Sequence, residues 1–160
     1  MRKRPRLTRA RLRELLHYDE DTGEFRWWKR VGDESQLGER AGHLKICIDG
    51  RCYQAHQLAW RHVTGRWCRP LIDHRDGDAT NNRWINLRRA TPSQNIANSR
   101  RPRHNTSGYK GVSLWRGRWR AVICNNGRLV YLGTFATPEA AHAAYVAAAS
   151  KLFGEFARPE

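Results

Sequence analysis

Short apolar runs, each bounded by a turn signal, follow one another from the start of the chain. Thr8 is a suitable N-cap, and the leucines that follow it at helical spacing predict a short first helix. These leucines are Leu12, Leu15 and Leu16. A turn from Tyr18 to Gly23 then leads into an aromatic run that predicts a strand, with Phe25 in the core.

A hairpin and a half-buried helix are predicted next. The turn pair Asp49-Gly50 lies between the apolar stretches 46–48 and 52–53, which is a strong hairpin signal. Apolar residues at helical spacing follow and end by Gly65. These residues are Leu58, Trp60 and Val63.

Residues 71–98 predict a strand, a loop, a second strand and a helix. The apolar pair Leu71-Ile72 ends at His74, and Ile85-Asn86-Leu87 predicts the return strand. The stretch Thr91-Pro92-Ser93-Gln94 supplies an N-cap, a proline at the first helical position and a capping-box glutamine. We therefore expect a helix to begin at Pro92.

The last third of the chain has three strand-like runs and then a helix. The runs cover residues 109–115, 119–124 and 129–135, with Gly-containing turns between them. Thr137 caps the helix, Pro138 opens it, and small residues form one of its faces. That face contains Ala140, Ala141, Ala144, Tyr145 and Ala148. The pattern predicts a small three-stranded antiparallel sheet packed on one helix.

Together these patterns predict an α+β chain with two domains. The first domain covers residues 1–99, and the second covers residues 106–160. Residues 100–105 form a basic, Pro-interrupted linker between them. Its arginines are Arg100, Arg101 and Arg103.

The composition of the chain indicates the chemical class of its partner. Thirty Lys and Arg against fifteen Asp and Glu give the 160 residues a formal charge of +15, and seven tryptophans accompany them. We expect a polyanionic partner, with nucleic acid as the first candidate and the basic arm at residues 2–6 lying along phosphates. A merely solvated basic face is the alternative. The sequence lacks a long apolar run and a signal-peptide core, so we expect a cytoplasmic protein without a membrane partner.

Strand alternation gives the predicted sheet two faces. The residues expected to face the helix are Val112, Leu114, Trp119, Ala121, Ile123, Val130 and Leu132. The residues expected on the opposite, DNA-contacting face are Lys110, Ser113, Trp115, Arg118, Arg120 and Tyr131. A face used only for packing or dimerisation is the alternative.

The four cysteines, at positions 47, 52, 68 and 124, contain no C-x-x-C pair. The spacing therefore indicates neither a zinc knuckle nor a secreted disulfide framework. Cys47 and Cys52 can face each other across the predicted hairpin, but we expect free core thiols.

Residues 73–98 are dense in side chains that bind metal ions and move protons. The sequence is D-H-R-D-G-D at 73–78, N-N-R at 81–83, N-L-R at 86–88 and Q-N-I-A-N at 94–98. A polar turn with a satisfied histidine would explain the first motif alone. Because the later motifs follow at the matching positions, the region resembles the HNH endonucleases of the phage and intron-homing type.

This resemblance implies a metal-dependent nuclease with the ββα-metal fold. It makes His74 the general base that activates water and Asn86 the residue that orients the imidazole. It makes Asp73 and Asn95 the ligands of one divalent cation, Mg²⁺ or Mn²⁺. Such residues suit phosphodiester hydrolysis, since imidazole titrates near neutrality and hard oxygen ligands leave coordination positions for phosphate.

The stretch Y-Q-A-H-Q-L-A-W at 53–60 also resembles the phage HNH type. His56 matches the family's histidine, and two roles stay open for it: contact with phosphate or structural packing. Gln57 replaces the family's usual arginine. Arg88 is expected with His56 among the DNA contacts.

The C-terminal pattern resembles the DNA-binding domain of plant ethylene-response factors. The motifs are Y-K-G-V at 109–112, G-R-W-R-A at 117–121, Y-L-G-T-F at 131–135 and F-G-E at 153–155. The resemblance covers residues 105–157 and implies duplex DNA as the partner. Ser113, Trp115 and Leu129 replace arginines of the plant domain, so we expect phosphate contact more than base readout.

The sequence therefore predicts a homing-type, site-selective DNA endonuclease, anchored on duplex DNA by its C-terminal domain, in a bacterial host or phage-infected cell. No small-molecule substrate is implied. A non-cutting transcriptional regulator with a decayed nuclease domain is the second interpretation. A basic RNA-associated structural protein is the third.

Removing two cations from the DNA-contacting face should reduce the salt dependence of binding. Each neutralised phosphate releases counterions, so we expect the double substitution of Arg118 and Arg120 to alanine to flatten the slope of log affinity against log salt by about one to two units. Titrations of duplex DNA at several salt concentrations measure the slope. An unchanged slope would mean that these arginines point away from DNA.

Overall fold

The computed structural model describes residues 7–29, 38, 40–42 and 44–158. It divides into two compact units, Met1–Arg89 and Ala90–Glu160. Both units contain helices and small antiparallel sheets. The basic arm expected at residues 2–6 lies outside the described residues. None of the helices in the described ranges is long and apolar enough to cross a membrane.

The first unit is built from short elements. In chain order they are α1 (Arg9–Leu15), β1 (Leu16–Tyr18), β2 (Phe25–Trp27), β3 (Lys45–Ile48), β4 (Arg51–Gln54), α2 (Ala55–Thr64), β5 (Leu71–His74) and β6 (Leu87–Ala90), the last of which ends on the first residue of the second unit. Strands β1 and β2, β3 and β4, and β5 and β6 form three two-stranded sheets.

The predicted start of the first unit is confirmed. The Thr8 hydroxyl accepts from the backbone N–H of Arg11 and caps α1, whose Leu12 and Leu15 are buried. Phe25 is fully buried in the core of this unit. Helix α2 ends at Gly65, which adopts the left-handed conformation that favours glycine.

Two predictions for the first unit are wrong. Residues Trp84–Asn86 form a 3₁₀ turn, so β6 begins only at Leu87. The tight turn bonds the Asn86 N–H to the Arg83 carbonyl and leaves Ile85 82% exposed, which a strand in this sheet would not do. In addition, Cys47 and Cys52 form a disulfide, since the Asp49-Gly50 turn places them directly opposite each other.

The second unit contains the predicted sheet and helix. In chain order its elements are α3 (Pro92–Asn98), β7 (Val112–Trp115), β8 (Arg118–Asn125), β9 (Arg128–Phe135) and α4 (Pro138–Phe153). The strand order is β7-β8-β9, with both pairs antiparallel. Thr91 and Gln94 form the predicted capping box of α3, and Thr137 caps α4.

Helix α4 packs on the sheet through one stripe of residues spaced four apart. These residues are Ala141, Tyr145, Ala149 and Phe153. Gly111 approaches the Tyr145 ring so closely, at a φ of +72°, that a side chain at position 111 would clash with it. Leu114 and Val130, expected under the helix, are 59% and 40% exposed because they lie near the turns that end the strands.

Helix α3 belongs to the core of the second unit. Ala97 is buried there with Ala90 and Phe156. Lys110 is buried too, and its ammonium donates to the carbonyl oxygens of Ala97 and Ser99 at 2.6 and 2.5 Å and of Arg158 at 3.2 Å. Lys110 was expected to contact DNA, but in this structure its side chain is enclosed and bonds the end of α3 and residue 158.

Replacing this lysine should loosen the second unit. Lys110→Met would leave buried carbonyl oxygens without their donor, and we expect a loss of about 1–3 kcal/mol in the free energy of unfolding. Lys151→Met, an exposed lysine of α4, is the matched control and should change little. Urea denaturation followed by circular dichroism measures both. Equal effects of the two substitutions would contradict the role given to Lys110.

The lowered pKa of Lys110 leads us to expect that stability depends on pH. Burial lowers the pKa of Lys110 from 10.5 to about 8. Between these values the unfolded chain binds more protons than the folded one, so the contribution of Lys110 to stability grows as pH rises through this window. The difference in unfolding free energy between the wild type and Lys110→Met should therefore widen from pH 8 to pH 10. A constant difference would show that the three carbonyls keep the ammonium charged.

Candidate functional site

The candidate site of the first unit lies where β5 ends. Asp73 and His74 are its last residues, and both side chains are buried. The Asp73 carboxylate accepts from the guanidinium Nε of Arg88 at 2.9 Å, and the two side chains are only 5% and 6% exposed. A buried carboxylate is costly without such a partner. Arg88, which the sequence predicts as a DNA contact, is buried in this structure and holds Asp73 in place.

The imidazole of His74 is held by Asn82. Its Nε2 lies 3.2 Å from the Asn82 side-chain oxygen, in a buried position. Because an amide oxygen only accepts hydrogen bonds, this contact requires the proton on Nε2. The Nδ1 atom is then the nitrogen that can take up a proton.

Asn86, expected to orient the imidazole, has a different role. Its amide nitrogen donates to the Asp76 carboxylate at 2.9 Å and to the Asn81 carbonyl at 2.8 Å, and its amide oxygen accepts from the Asp76 N–H. Burial raises the pKa of Asp76, but hydrogen bonds from Asp78, Asn86 and Asn81 outweigh it and hold that pKa below its usual value. Asn86 thus fixes the loop that carries Asn82.

Residues from the β1–β2 hairpin support the same loop. The Tyr18 hydroxyl donates to the Asn82 carbonyl at 2.6 Å, and the Trp84 N–H donates to the Glu20 carbonyl at 2.9 Å. Gly23 lies so close that a Cβ atom there would fall 2.4 Å from the Arg83 nitrogen. Sequence reasoning missed Asn82, Tyr18 and Gly23 as parts of the site. The N-N-R motif at 81–83 indicated that Asn82 could belong to the site, but spacing alone does not show which asparagine contacts the His74 imidazole.

His56 of α2 lies beside His74. The two rings meet edge to face, with centroids 5.2 Å apart. Burial, and secondarily an electrostatic effect of the neighbouring His74, lower the pKa of His56 to about 4. His56 is therefore neutral at physiological pH, which suits packing against a second imidazole.

The residues present fit a hard divalent cation with few protein ligands. Asp73 offers carboxylate oxygens, the donor type that Mg²⁺ and Mn²⁺ accept while keeping water and phosphate in other positions. Among the described residues, no group of three or more His, Cys, Asp or Glu side chains is placed to hold a metal. The donor set therefore does not fit a closed structural site such as that of zinc.

Asn95 and the linker arginines lie in the second unit. Asn95 is exposed on α3, one turn after the capping Thr91. The three linker arginines are also exposed, and they are Arg100, Arg101 and Arg103.

The sheet of the second unit presents an aromatic and cationic face. Ser113 pairs with Arg120 across the strands, and Trp115 pairs with Arg118. The Arg120 guanidinium lies 5.0 Å from the Trp115 ring centroid, an arrangement that orders the cation. Tyr131 is 61% exposed, and its hydroxyl is hydrogen-bonded to Thr134. The structure thus brings five of the six predicted side chains to one surface and buries the sixth, Lys110.

Comparison with known families finds two matches. The model of the HNH endonuclease family matches residues 53–97. The AP2 domain matches residues 107–155. Both resemblances expected from the motifs are confirmed.

Individual relatives match one part of the chain or the other. Protein 3.8 of Escherichia phage T7 is 42% identical over 59 residues, which are 36% of this chain and 49% of that protein. The uncharacterized HNH endonuclease L560 of Acanthamoeba polyphaga mimivirus is 37% identical over 89 residues, 55% of this chain and 46% of that protein.

The AP2-like ethylene-responsive transcription factor TOE2 of Arabidopsis thaliana is 48% identical over 66 residues, 39% of this chain and 14% of that protein. The chain therefore spans about half or less of the length of each of these relatives. No solved structure matches it.

Breaking the buried ion pair should unfold the site. Arg88→Met removes the guanidinium beside Asp73, and we expect a loss of roughly 3–5 kcal/mol in unfolding free energy because a buried charge is left without it. Arg83→Met, an exposed arginine of the same unit, should stay within about 0.5 kcal/mol of the wild type. Urea denaturation of these variants, of Asp73→Asn and of the Asp73→Asn, Arg88→Met double variant completes a double-mutant cycle. A coupling energy near zero would contradict the buried pair.

Proposed function

Because this chain joins an HNH endonuclease domain to an AP2 domain, we propose that it is a metal-dependent, homing-type DNA endonuclease. The observation that carries the proposal is the buried His74, whose Nε2 meets Asn82 and which follows Asp73 at the end of β5. It acts on duplex DNA, in the cytoplasm of a bacterial host or phage-infected cell. Either one strand or both are cut.

In the proposed reaction, Nδ1 of His74 takes a proton from the water that attacks the phosphodiester. Asn82 keeps the opposite ring nitrogen protonated, so the imidazole is presented in one tautomer. Neutral His56 packs against the ring and adds no competing positive charge. A positioned base of this kind accelerates hydrolysis by about two to four orders of magnitude.

Asp73 and Asn95 would hold the divalent cation, Mg²⁺ or Mn²⁺. When bound, such an ion neutralises negative charge on the phosphate and on the leaving oxygen. Arg88 keeps the Asp73 carboxylate pointing in one direction. The exposed position of Asn95 on α3 supports its role, since a ligand must be able to reach the metal.

We further propose that β5, β6 and α3 form the ββα arrangement of the nuclease. The match to the HNH family extends to residue 97 and so includes most of α3. The nuclease domain then covers residues 1–99, with the linker and the AP2 domain after it.

The AP2 domain anchors the enzyme on DNA through one face of its sheet. Its phosphate contacts would come from Arg118, Arg120 and the linker arginines, and Trp115 would keep Arg120 extended over its ring. Ser113 and Tyr131 would add hydrogen bonds from the same face.

A non-cutting DNA-binding regulator is the second candidate. The hydrogen bond from Arg88 to Asp73 favours it, because the guanidinium uses a carboxylate oxygen that a metal would need. Metal-dependent cleavage separates the two candidates.

The test compares His74→Ala with the wild type on supercoiled and mixed genomic DNA. With Mg²⁺ or Mn²⁺ the wild type should nick or cut, and His74→Ala should be slower by about two to four orders of magnitude because the base is gone. His104→Ala, an exposed histidine of the second unit, is the matched control and should cut normally. A chelator should stop all cleavage.

Two outcomes would count against the proposal. Equal metal-dependent cleavage by the wild type and His74→Ala would remove His74 from the mechanism. Tight DNA binding with no cleavage by the wild type in either metal would favour the regulator.

A further inference from the structure

The first unit contains a cavity of about 390 Å³ that the proposed reaction does not use. Side chains of two aromatic residues, two arginines and two glutamines line most of it. They are Tyr53, Trp67, Arg51, Arg69, Gln54 and Gln57. His56, Asp73, His74 and Asn82 are not among the lining residues. The volume falls within the range of small-molecule sites, which is roughly 300–1,000 Å³.

The cavity has an aromatic surface. The rings of Tyr53 and Trp67 stack with centroids 5.6 Å apart and planes 13° from parallel. The Arg61 guanidinium lies over the Trp67 ring at 5.1 Å from its centroid. Trp67 is therefore fixed by two contacts. An ordered aromatic pair is the kind of surface on which an unpaired base stacks.

Its polar side chains are not used by the fold. In the part of the chain that the structure describes, the side chains of Arg51, Gln54, Gln57 and Arg69 make no hydrogen bond or ion pair. Gln54, for example, occupies the N-cap position of α2 without a side-chain capping bond. Glutamine amides match the donor and acceptor edges of a base, and guanidinium groups match phosphate.

The charges of the lining residues indicate which class of ligand the cavity binds. Among the residues that the structure describes, the cavity lining contains two arginines and no Asp or Glu, in a chain with a formal charge of +15. Other arginines of this unit are paired with acids, such as Arg26 with Glu24 and Arg11 with Asp49. An anion that also carries a flat aromatic ring satisfies both the stacked pair and the two arginines.

We propose that this cavity binds one unpaired nucleotide of DNA. The base stacks on the Tyr53 and Trp67 pair, the glutamine amides bond its edge, and Arg51 and Arg69 bind the flanking phosphates. The inference rests on the proposed function for DNA as the partner and deepens it, because it makes a strand with an extruded or unpaired base the preferred substrate.

The test measures binding of the full chain, in chelator, to fluorescent single-stranded tetranucleotides. One probe carries four thymines, and the other has abasic sugars with the same charge. Base stacking adds roughly a tenfold to hundredfold affinity, so we expect the thymine probe to bind more tightly by about that factor. Trp67→Leu should abolish the preference, and Trp28→Leu, an exposed tryptophan of the same unit, should keep it.

A second pair of variants tests the phosphate contacts at exposed positions where the fold is not at risk. The double substitution of Arg51 and Arg69 to glutamine should reduce the slope of log affinity against log salt by about 1.4 units on single strands. Arg13→Gln, which removes an exposed charge elsewhere in the unit, should reduce the slope by less than half of that amount. Circular dichroism spectra confirm that each variant is folded.

Equal affinity for the thymine and abasic probes would overturn the proposal. So would a salt slope that the two cavity substitutions leave unchanged. The binding assay is done without metal, so its result does not depend on whether the protein cleaves DNA. If the protein cleaves DNA but shows no preference for the thymine probe, the proposed nuclease activity would stand and nucleotide binding in the cavity would be rejected.

Discussion

The buried ion pair between Asp73 and Arg88 is the constraint on which the first unit's site depends. Two side chains that are 5% and 6% exposed must be paired, since removing charge from water without compensation costs several kcal/mol. The pair joins β5 to β6 and fixes the direction of the Asp73 carboxylate, which precedes His74 in the chain. Under the proposed function, a metal bound by Asp73 would share this carboxylate with the Arg88 guanidinium.

The rest of the site is assembled from distant parts of the chain. The loop that carries Asn82 is held by Tyr18 and Gly23, more than fifty residues earlier, and by Asn86 within the loop. In the second unit, Lys110 fastens the end of α3 to the sheet. In both cases a polar side chain forms its hydrogen bonds with backbone carbonyls or neighbouring loops. The sequence had suggested that these side chains contact DNA or substrate.

Local signals predicted most of the fold. Capping residues, turn pairs and alternation located the helices and the strands of the second unit, because these features depend on a few adjacent residues. The partners of buried polar groups were not predictable, as Arg88 and Lys110 show: a cation in a basic chain is usually solvated, and only tertiary packing reveals that these two are enclosed. The same limit applies to Asn82 and Asn86, which are chemically identical and differ only in which loop atoms they reach.

The central claim is that Asp73, next to His74, binds the metal of a nuclease. The most direct measurement is anomalous diffraction from crystals of the chain with a short DNA duplex and Mn²⁺, collected at the manganese edge. The account predicts one anomalous peak within coordination distance of an Asp73 carboxylate oxygen, with a phosphate on its other side. A peak elsewhere, or none at saturating Mn²⁺ with Arg88 still bonded to Asp73, would contradict it.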